Sequence, residues 1–179
     1  GKLYYTLRMR YDQDASEVQP LDQGLAVQRE YLAVDPVTLT STGQLLQEAK
    51  VGEVVQVRIR LTVNGSARYL VVEDMLPAGL EALDTSLKTV TSAATGPEMA
   101  EADRKGENAY WTVWNEAAIR DNAVAIFATE LPSGVYEYTY LARATVPGSY
   151  NVLPASAYQM YAPEVFGRTG GGVFLVKGE

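Results

Sequence analysis

Apolar and polar residues alternate with period two along much of this chain, as in strands with one buried and one wet face. Residues 53–63 show it best: Val55, Val57, Ile59, Leu61 and Val63 point one way, and Gln56, Arg58, Arg60 and Thr62 the other. Asn64-Gly65 follows, a strong short turn signal, and Arg68 to Glu73 resumes as a strand, so the pair is predicted to form a β-hairpin. The same alternation predicts strands over 3–10, 25–33, 123–129, 135–146 and 173–177, with shorter ones at 85–91, 110–114 and 150–153. In the 135–146 strand, Tyr136, Tyr138, Tyr140, Ala142 and Ala144 share one face. Between the strands stand a polar stretch from Asp12 to Gly24, read as a linker, and a Pro/Gly-punctuated crossover at Asp74–Glu81. An Ala-rich charged segment at about 92–108 is expected to be a partly ordered exposed loop. Short strands with turn signals between them and no sustained helical period predict an all-β fold, an antiparallel β-sandwich with Greek-key connections. Leu131-Pro132-Ser133-Gly134-Val135-Tyr136 has the form of a tyrosine corner, in which the phenol bonds back to nearby backbone.

Composition then removes function classes. The 179 residues include no cysteine and no histidine. Cys or His nucleophiles, Ser-His-Asp triads, disulfides and Cys/His zinc sites are therefore excluded within this chain. Lys plus Arg is 15 against 22 Asp plus Glu, a net charge of −7, which does not favour nucleic acid or an anionic membrane surface. Hydrophobic residues are 47% of the chain, enough for a globular core, yet no apolar run approaches the roughly 18 residues of a membrane helix. The chain opens directly in an alternating pattern at Gly1-Lys2-Leu3-Tyr4 without Met, which reads as a piece of a larger protein. The lack of a leader then says nothing about where the parent resides.

The remaining motifs are weak as chemistry. Asp12-Gln13-Asp14 starts like a calcium loop but lacks the later Gly and the twelfth-position Glu. Gly170-Gly171-Gly172 opens no helix and is followed by no Lys-Ser/Thr, so it reads as a turn and not as a phosphate loop. Carboxylates are scattered over loops without a second sign of glycosidase chemistry. No catalytic residue, cofactor or metal is assigned, and the chain is expected not to be an enzyme. The tyrosine row could be a sugar-stacking platform or simply core. In Tyr158-Gln159-Met160-Tyr161-Ala162-Pro163 an apolar pair sits on a segment that Pro154, Pro163 and Gly167 are expected to keep irregular. Either Met160 and Tyr161 plug the end of the sandwich, or they form an adaptable contact for a partner.

Taken in order, several segments resemble one family. They are GKLYY at the start, GLAVQREYL at 24–32, KVGEVVQVRIRLTV at 50–63 and VVEDMLPAGLEAL at 71–83. IRDNAVAIFATELPSGVYEYTYLARATVPGSY at 119–150 and YQMYAPEVFGRTG at 158–170 follow. Together they resemble the C-terminal MG10 domain of bacterial α2-macroglobulins over nearly the whole chain. The resemblance implies a macroglobulin or fibronectin III-like sandwich over 19–179. Residues 1 to about 18 would belong to the return strand of a preceding CUB-like domain and its linker. It also implies a periplasmic parent, often lipid-anchored to the inner membrane, that traps proteases after its bait region is cut. The implied partners are the thioester domain and neighbouring macroglobulin domains of the parent, with target proteases reached through the parent. Direct contact of this piece with membrane or nucleic acid is not expected. On the same resemblance Met160, Tyr161 and Tyr158 would contact the thioester domain and keep water from its bond before cleavage. One segment departs from the family pattern: Asn115-Glu116-Ala117-Ala118-Ile119-Arg120-Asp121-Asn122 lacks the His that many members carry there, and the second Asp after Arg-Asp. The rival readings are an Ig-like stalk or adhesin module of a bacterial surface protein and a carbohydrate-binding module using the tyrosine row.

Overall fold

The computed structural model describes residues 1–9, 12–83, 99–101, 116–120 and 122–178. Two six-stranded sheets form the sandwich. The first has the order β1 (Leu21–Gln23), β14 (Ala162–Arg168), β13 (Ser156–Gln159), β6 (Ala67–Met75), β10 (Ala123–Leu131) and β9 (Glu116–Arg120). The second has the order β3 (Ser41–Leu45), β2 (Leu25–Val34), β5 (Val54–Val63), β11 (Gly134–Ala144) and β7 (Leu80–Ala82), and β8 (Met99–Glu101) also pairs with β11. A small third sheet joins β12 (Gly148–Val152), β15 (Gly172–Lys177) and β4 (Glu48–Lys50). The two large sheets are antiparallel throughout their described ladders, and β15 with β4 is parallel. The chain is thus an all-β antiparallel sandwich, as expected, and β8 falls inside the stretch expected to be a loop.

The alternating pattern sets which face is buried. All five inward residues of β5, Val55 to Val63, lie in the core, opposite Leu70, Val72, Val124 and Ile126 of the first sheet. The wet face of β5 carries cross-strand ion pairs in direct register: Arg58 with Glu30 of β2 at 2.5 Å, and Arg60 with Glu137 of β11 at 3.2 Å. Half-exposed pairs of this kind add little stability, but opposite charges facing each other disfavour a slipped register. Tyr136, Tyr138 and Tyr140 are buried in the core, which overturns the sugar-platform reading of that row.

Several sequence expectations are corrected. Asn64-Gly65 does not close a hairpin. β5 pairs with β2 and β11 whereas β6 pairs with β10 and β13, so the turn carries the chain from one sheet to the other. The apolar faces of the two strands meet across the core, which satisfies the same alternation as a hairpin would. Residues 3–9 are not a strand. Leu3, Tyr4, Tyr5 and Leu7 are all exposed, and no described strand pairs with them. The polar stretch 12–24 contains a short 3-10 turn at Ala15–Glu17, capped by Asp14, and then β1 on the edge of the first sheet. Ser16 donates from its N–H (2.9 Å) and its hydroxyl (2.7 Å) to the Asp14 carboxylate, and these bonds hold the Asp14 pKa below its ordinary value. The strands expected at 85–91 and 110–114, and most of 92–108, lie outside the described residues.

One buried charge pair joins the large sheets. Arg29 of β2 donates to Asp74 of β6, and both side chains are almost fully buried (3% and 1% exposed). Tyr140 of β11 donates its hydroxyl to the other Asp74 oxygen at 2.6 Å, and Arg29 donates at 2.8 Å to the carbonyl of Leu153. Burial works against the Arg29 charge, but the Asp74 carboxylate and hydrogen bond outweigh it and raise the Arg29 pKa. Burial also raises the Tyr140 phenol well above its ordinary value, and Asp74, which accepts its proton, raises it further.

Two predictions follow from these contacts. Arg29→Met, leaving Asp74 buried without its counter-charge, is expected to cost about 3–5 kcal/mol. Adding Asp74→Leu and Tyr140→Phe should recover much of that loss, and urea denaturation midpoints at constant m-value would measure both. A triple variant as unstable as the single one would show that the charges themselves hold the sheets together. Alkali supplies the second case. Burial raises the Tyr138 phenol to about 12, and Tyr140 is also raised well above its ordinary value, while the unfolded chain ionises its phenols near pH 10. The unfolded state therefore loses protons first. The stability these groups hold below pH 10 should fall between about pH 10 and 12, by up to about 1.4 kcal/mol per pH unit per phenol. Denaturation curves of the wild type and Tyr138→Phe across that range would test it, the variant having the shallower slope.

Candidate functional site

The segment 158–163 is irregular at Pro163, as expected, but it is built into strands: β13 and β14 form a hairpin whose two-residue turn is Met160-Tyr161. Proline is tolerated because the ladder shifts. Gln159 faces Ala162, but Tyr158 faces Phe166, so Pro163, Glu164 and Val165 lie in a bulge where no ladder donor is required. Gly167 is no breaker either. A Cβ there would fall 1.7 Å from the Leu25 carbonyl oxygen of β2, so glycine permits the close crossing of β14 over β2.

The hairpin is fixed at its root and open at its tip. At the root, Thr169 N–H donates to the Ala155 carbonyl at 2.9 Å, and Ala155 N–H donates to the Thr169 hydroxyl at 3.0 Å. Just upstream, the Leu153 carbonyl receives the Arg29 guanidinium, so the buried charge pair also anchors the entry to the hairpin. Along its side, β13 pairs with β6, and the Met160 N–H extends that contact to the Tyr69 carbonyl at 3.0 Å. The Gln159 side-chain oxygen accepts from the Arg68 N–H at 3.0 Å. At the tip, Met160 is 54% exposed and Tyr161 78%. The edge of one ring meets the face of the other between Tyr161 and Tyr69, with centroids 5.1 Å apart at 89°. An exposed ion pair between Arg68 and Glu130 (3.2 Å) flanks the patch.

The structure therefore leaves Met160 and Tyr161 outside the core, and they do not plug the sandwich. Tyr158 stands apart from them. It is half-buried on β13, one residue before Gln159, and partial burial together with a hydrogen bond to Glu73 raises its pKa. Tyr69 was missed in the sequence, yet a signal was there. Ala67 is inward, and the next inward positions are Leu70 and Val72, so the alternation slips by one residue at Arg68-Tyr69. The backbone takes up the slip at Tyr69, which has φ = +50°, rare and costly for a bulky side chain. On β10, Thr129 and Glu130 are likewise both exposed before the buried Leu131, so the two strands slip together and stay in register.

Elsewhere an open cleft of about 720 Å³ runs between β1, β14 and β2, bordered by Asp22, Gln28, Glu30 and Arg168. Its charges are of both signs and form no cluster aimed at one ligand. Among the described residues, no group of three or more acidic side chains is placed to hold a metal ion.

Comparison with known proteins gives a consistent picture. A sequence profile described as the bacterial alpha-2-macroglobulin MG10 domain matches residues 24–164. An alpha-2-macroglobulin homolog of Nostoc sp. is 32% identical over 94% of this chain, which spans 8% of that protein. Circularly permutated Ras protein 2 of Dictyostelium discoideum is 26% identical over 94% of the chain, which spans 4% of it. The crystal structure of native alpha-2-macroglobulin from Escherichia coli, from domain MG7 to the C-terminus, superposes with a TM-score of 0.68. There the identity is 22%, over 93% of this chain and 25% of that one, a likeness of fold.

If Met160 and Tyr161 are surface groups and not core, Met160→Ala and Tyr161→Ala should each change the unfolding free energy by no more than about 0.5 kcal/mol. Urea denaturation of the 179-residue chain measures this, and a loss of about 2 kcal/mol or more would place them in the packing after all.

Proposed function

Because this chain belongs to the family of bacterial α2-macroglobulin MG10 domains, we propose that it is a non-catalytic docking domain of a protease-trapping parent. Its hairpin tip rests on the thioester domain before the bait region is cut. The observation that carries the proposal is the pairing of an exposed Met160-Tyr161 tip with a root held by Thr169, Ala155 and the buried Arg29. Core packing accounts for the root and leaves the tip unexplained.

The chemistry of such a partner fits the tip. A thioester hydrolyses when water reaches it, so a domain that covers it must exclude water. Met supplies an adaptable apolar contact, and Tyr a larger wall with a polar end. Tyr158, with its phenol held by Glu73, would border the contact from the side of β13. The exposed segment 1–9 fits the same frame. Its apolar Leu3, Tyr5 and Leu7 would pair with a sheet of the preceding CUB-like domain, and residues 1 to about 18 would belong with that neighbour. The parent would work in the periplasm, anchored by lipid to the inner membrane. A tandem stalk module would share the sandwich but would give the tip no task.

The test uses the full-length, uncleaved parent. Met160→Ala and Tyr161→Ala should each speed methylamine consumption and thiol release severalfold. In the wild type, both residues should be protected from hydroxyl-radical oxidation until a protease cuts the bait region. Unchanged methylamine rates in both variants would remove the thioester role. Equal oxidation before and after cleavage would remove docking altogether.

A further inference from the structure

Tyr69 is the strained residue beside the tip. Its φ of +50° lies in a region that favours glycine, and a bulky side chain there is a rare choice. Its side chain is half exposed, so burial in the core does not account for its presence. Two contacts tie it to the hairpin turn: its carbonyl accepts the Met160 N–H at 3.0 Å, and its ring meets that of Tyr161 edge to face at 5.1 Å. Tyr161 is 78% exposed even with this second ring beside it, and without the ring no described aromatic contact would restrict its rotamer. Such a side chain loses more entropy on docking than one already held. The strained backbone at Tyr69 is what turns its ring toward Tyr161, because the slip in alternation puts Arg68 and Tyr69 both outward.

We propose that Tyr69 is a positioning residue of the docking surface: it orients Tyr161 for the apolar pocket of a neighbouring domain of the same parent chain. The inference rests on the docking role given above and adds a third member to its surface. The thioester domain named above is the committed occupant: the chain spans only 8% of the Nostoc relative, so most of such a parent lies outside it and a partner domain is held on the same chain. The patch of two tyrosines and a methionine, bordered by the Arg68–Glu130 pair, has the composition of an interface core with a polar rim.

Strain makes the proposal separable from a purely structural role. Glycine adopts the backbone of Tyr69 without steric strain, which offsets the entropy glycine costs and the lost ring contact, so Tyr69→Gly should leave the melting temperature nearly unchanged. In the same full-length, uncleaved variant the Met160 oxidation rate under hydroxyl-radical footprinting should rise at least threefold, toward its value after bait cleavage. Tyr69→Asn, which tolerates the conformation but lacks the ring, should behave likewise and serves if the glycine variant folds poorly. Tyr69→Phe should keep the protection. Full protection in Tyr69→Gly and Tyr69→Asn, with protection lost in Tyr161→Ala, would overturn the positioning role and leave docking standing. Loss of protection in Tyr69→Phe would overturn it too, since the ring would then not be the acting part. A wild-type parent with no protection before cleavage would sink docking, and this inference with it.

Discussion

The relative placement of the two large sheets is constrained by a buried ionic contact between them, Arg29 with Asp74. A charge pair out of water must be fully satisfied to be tolerated, and this one is: Asp74 also receives the Tyr140 hydroxyl, and Arg29 also reaches the Leu153 carbonyl. Apolar contacts between two sheets permit sliding. A contact of fixed donors and acceptors does not, because any shift leaves a buried charge unpaired. The four groups come from β6, β2, β11 and the segment leading into β13, so a single network sets the two layers and the hairpin root relative to one another. Its value is in defining one arrangement more than in adding stability.

Close backbone approaches complete what the charge pair begins. Gly167 lets β14 cross Leu25, and Gly171 would place a Cβ 1.6 Å from the Ala15 carbonyl oxygen, so the chain before β1 can lie on the turn before β15. Gly79 sits under the ring of Tyr150, whose hydroxyl donates back to the Val146 carbonyl at 3.0 Å. That contact repeats the form of the Tyr136 hydroxyl bonding to the Pro132 carbonyl at 2.8 Å, so the described residues include a tyrosine corner at the start of β11 and another in β12. Each pins a strand where the chain turns, and the second, through Tyr150 over Gly79, also ties β12 of the short third sheet to the segment before β7.

The sequence disclosed these features unevenly, for physical reasons. β5 and β11 were legible because each has a continuous buried face at period two, β2 and β10 because each keeps that face over part of its length, and the first corner because its Leu-Pro-Ser-Gly-Val-Tyr form is local. The second corner, at Val146-Pro147-Gly148-Ser149-Tyr150, has the same parts with one residue fewer and was not recognised. The partner of β5 was misjudged because alternation reports which face is buried and not which strand is bonded, so an arch between sheets and a hairpin read alike. Short strands such as β4 and β7 contain too few residues for any period. β14 was hidden by Pro163 and Gly167, one accommodated in a bulge and the other required by a crossing that only the tertiary structure reveals. Met160 and Tyr161 were singled out from composition and from the family resemblance, whereas Tyr69 needed the slip in alternation to be read as information.

A root held by hydrogen bonds and a small exposed tip would suit a contact that must later be undone. Three side chains cover far less than the about 800 Å² per partner of a stable interface between separate proteins. Within one chain that is no handicap, because tethering raises the effective concentration of the partner to the millimolar range for short connections, and modest contacts then suffice. The same dependence makes the contact releasable. A change in how two tethered domains are held would lower that effective concentration, and a patch of this size alone would not keep them together. A larger apolar tip would hold more tightly but would resist release and invite association when exposed. If Tyr69 positions Tyr161 as inferred, its strain fits that balance, since a tip ordered in advance would lose less entropy on docking without enlarging the surface that must separate.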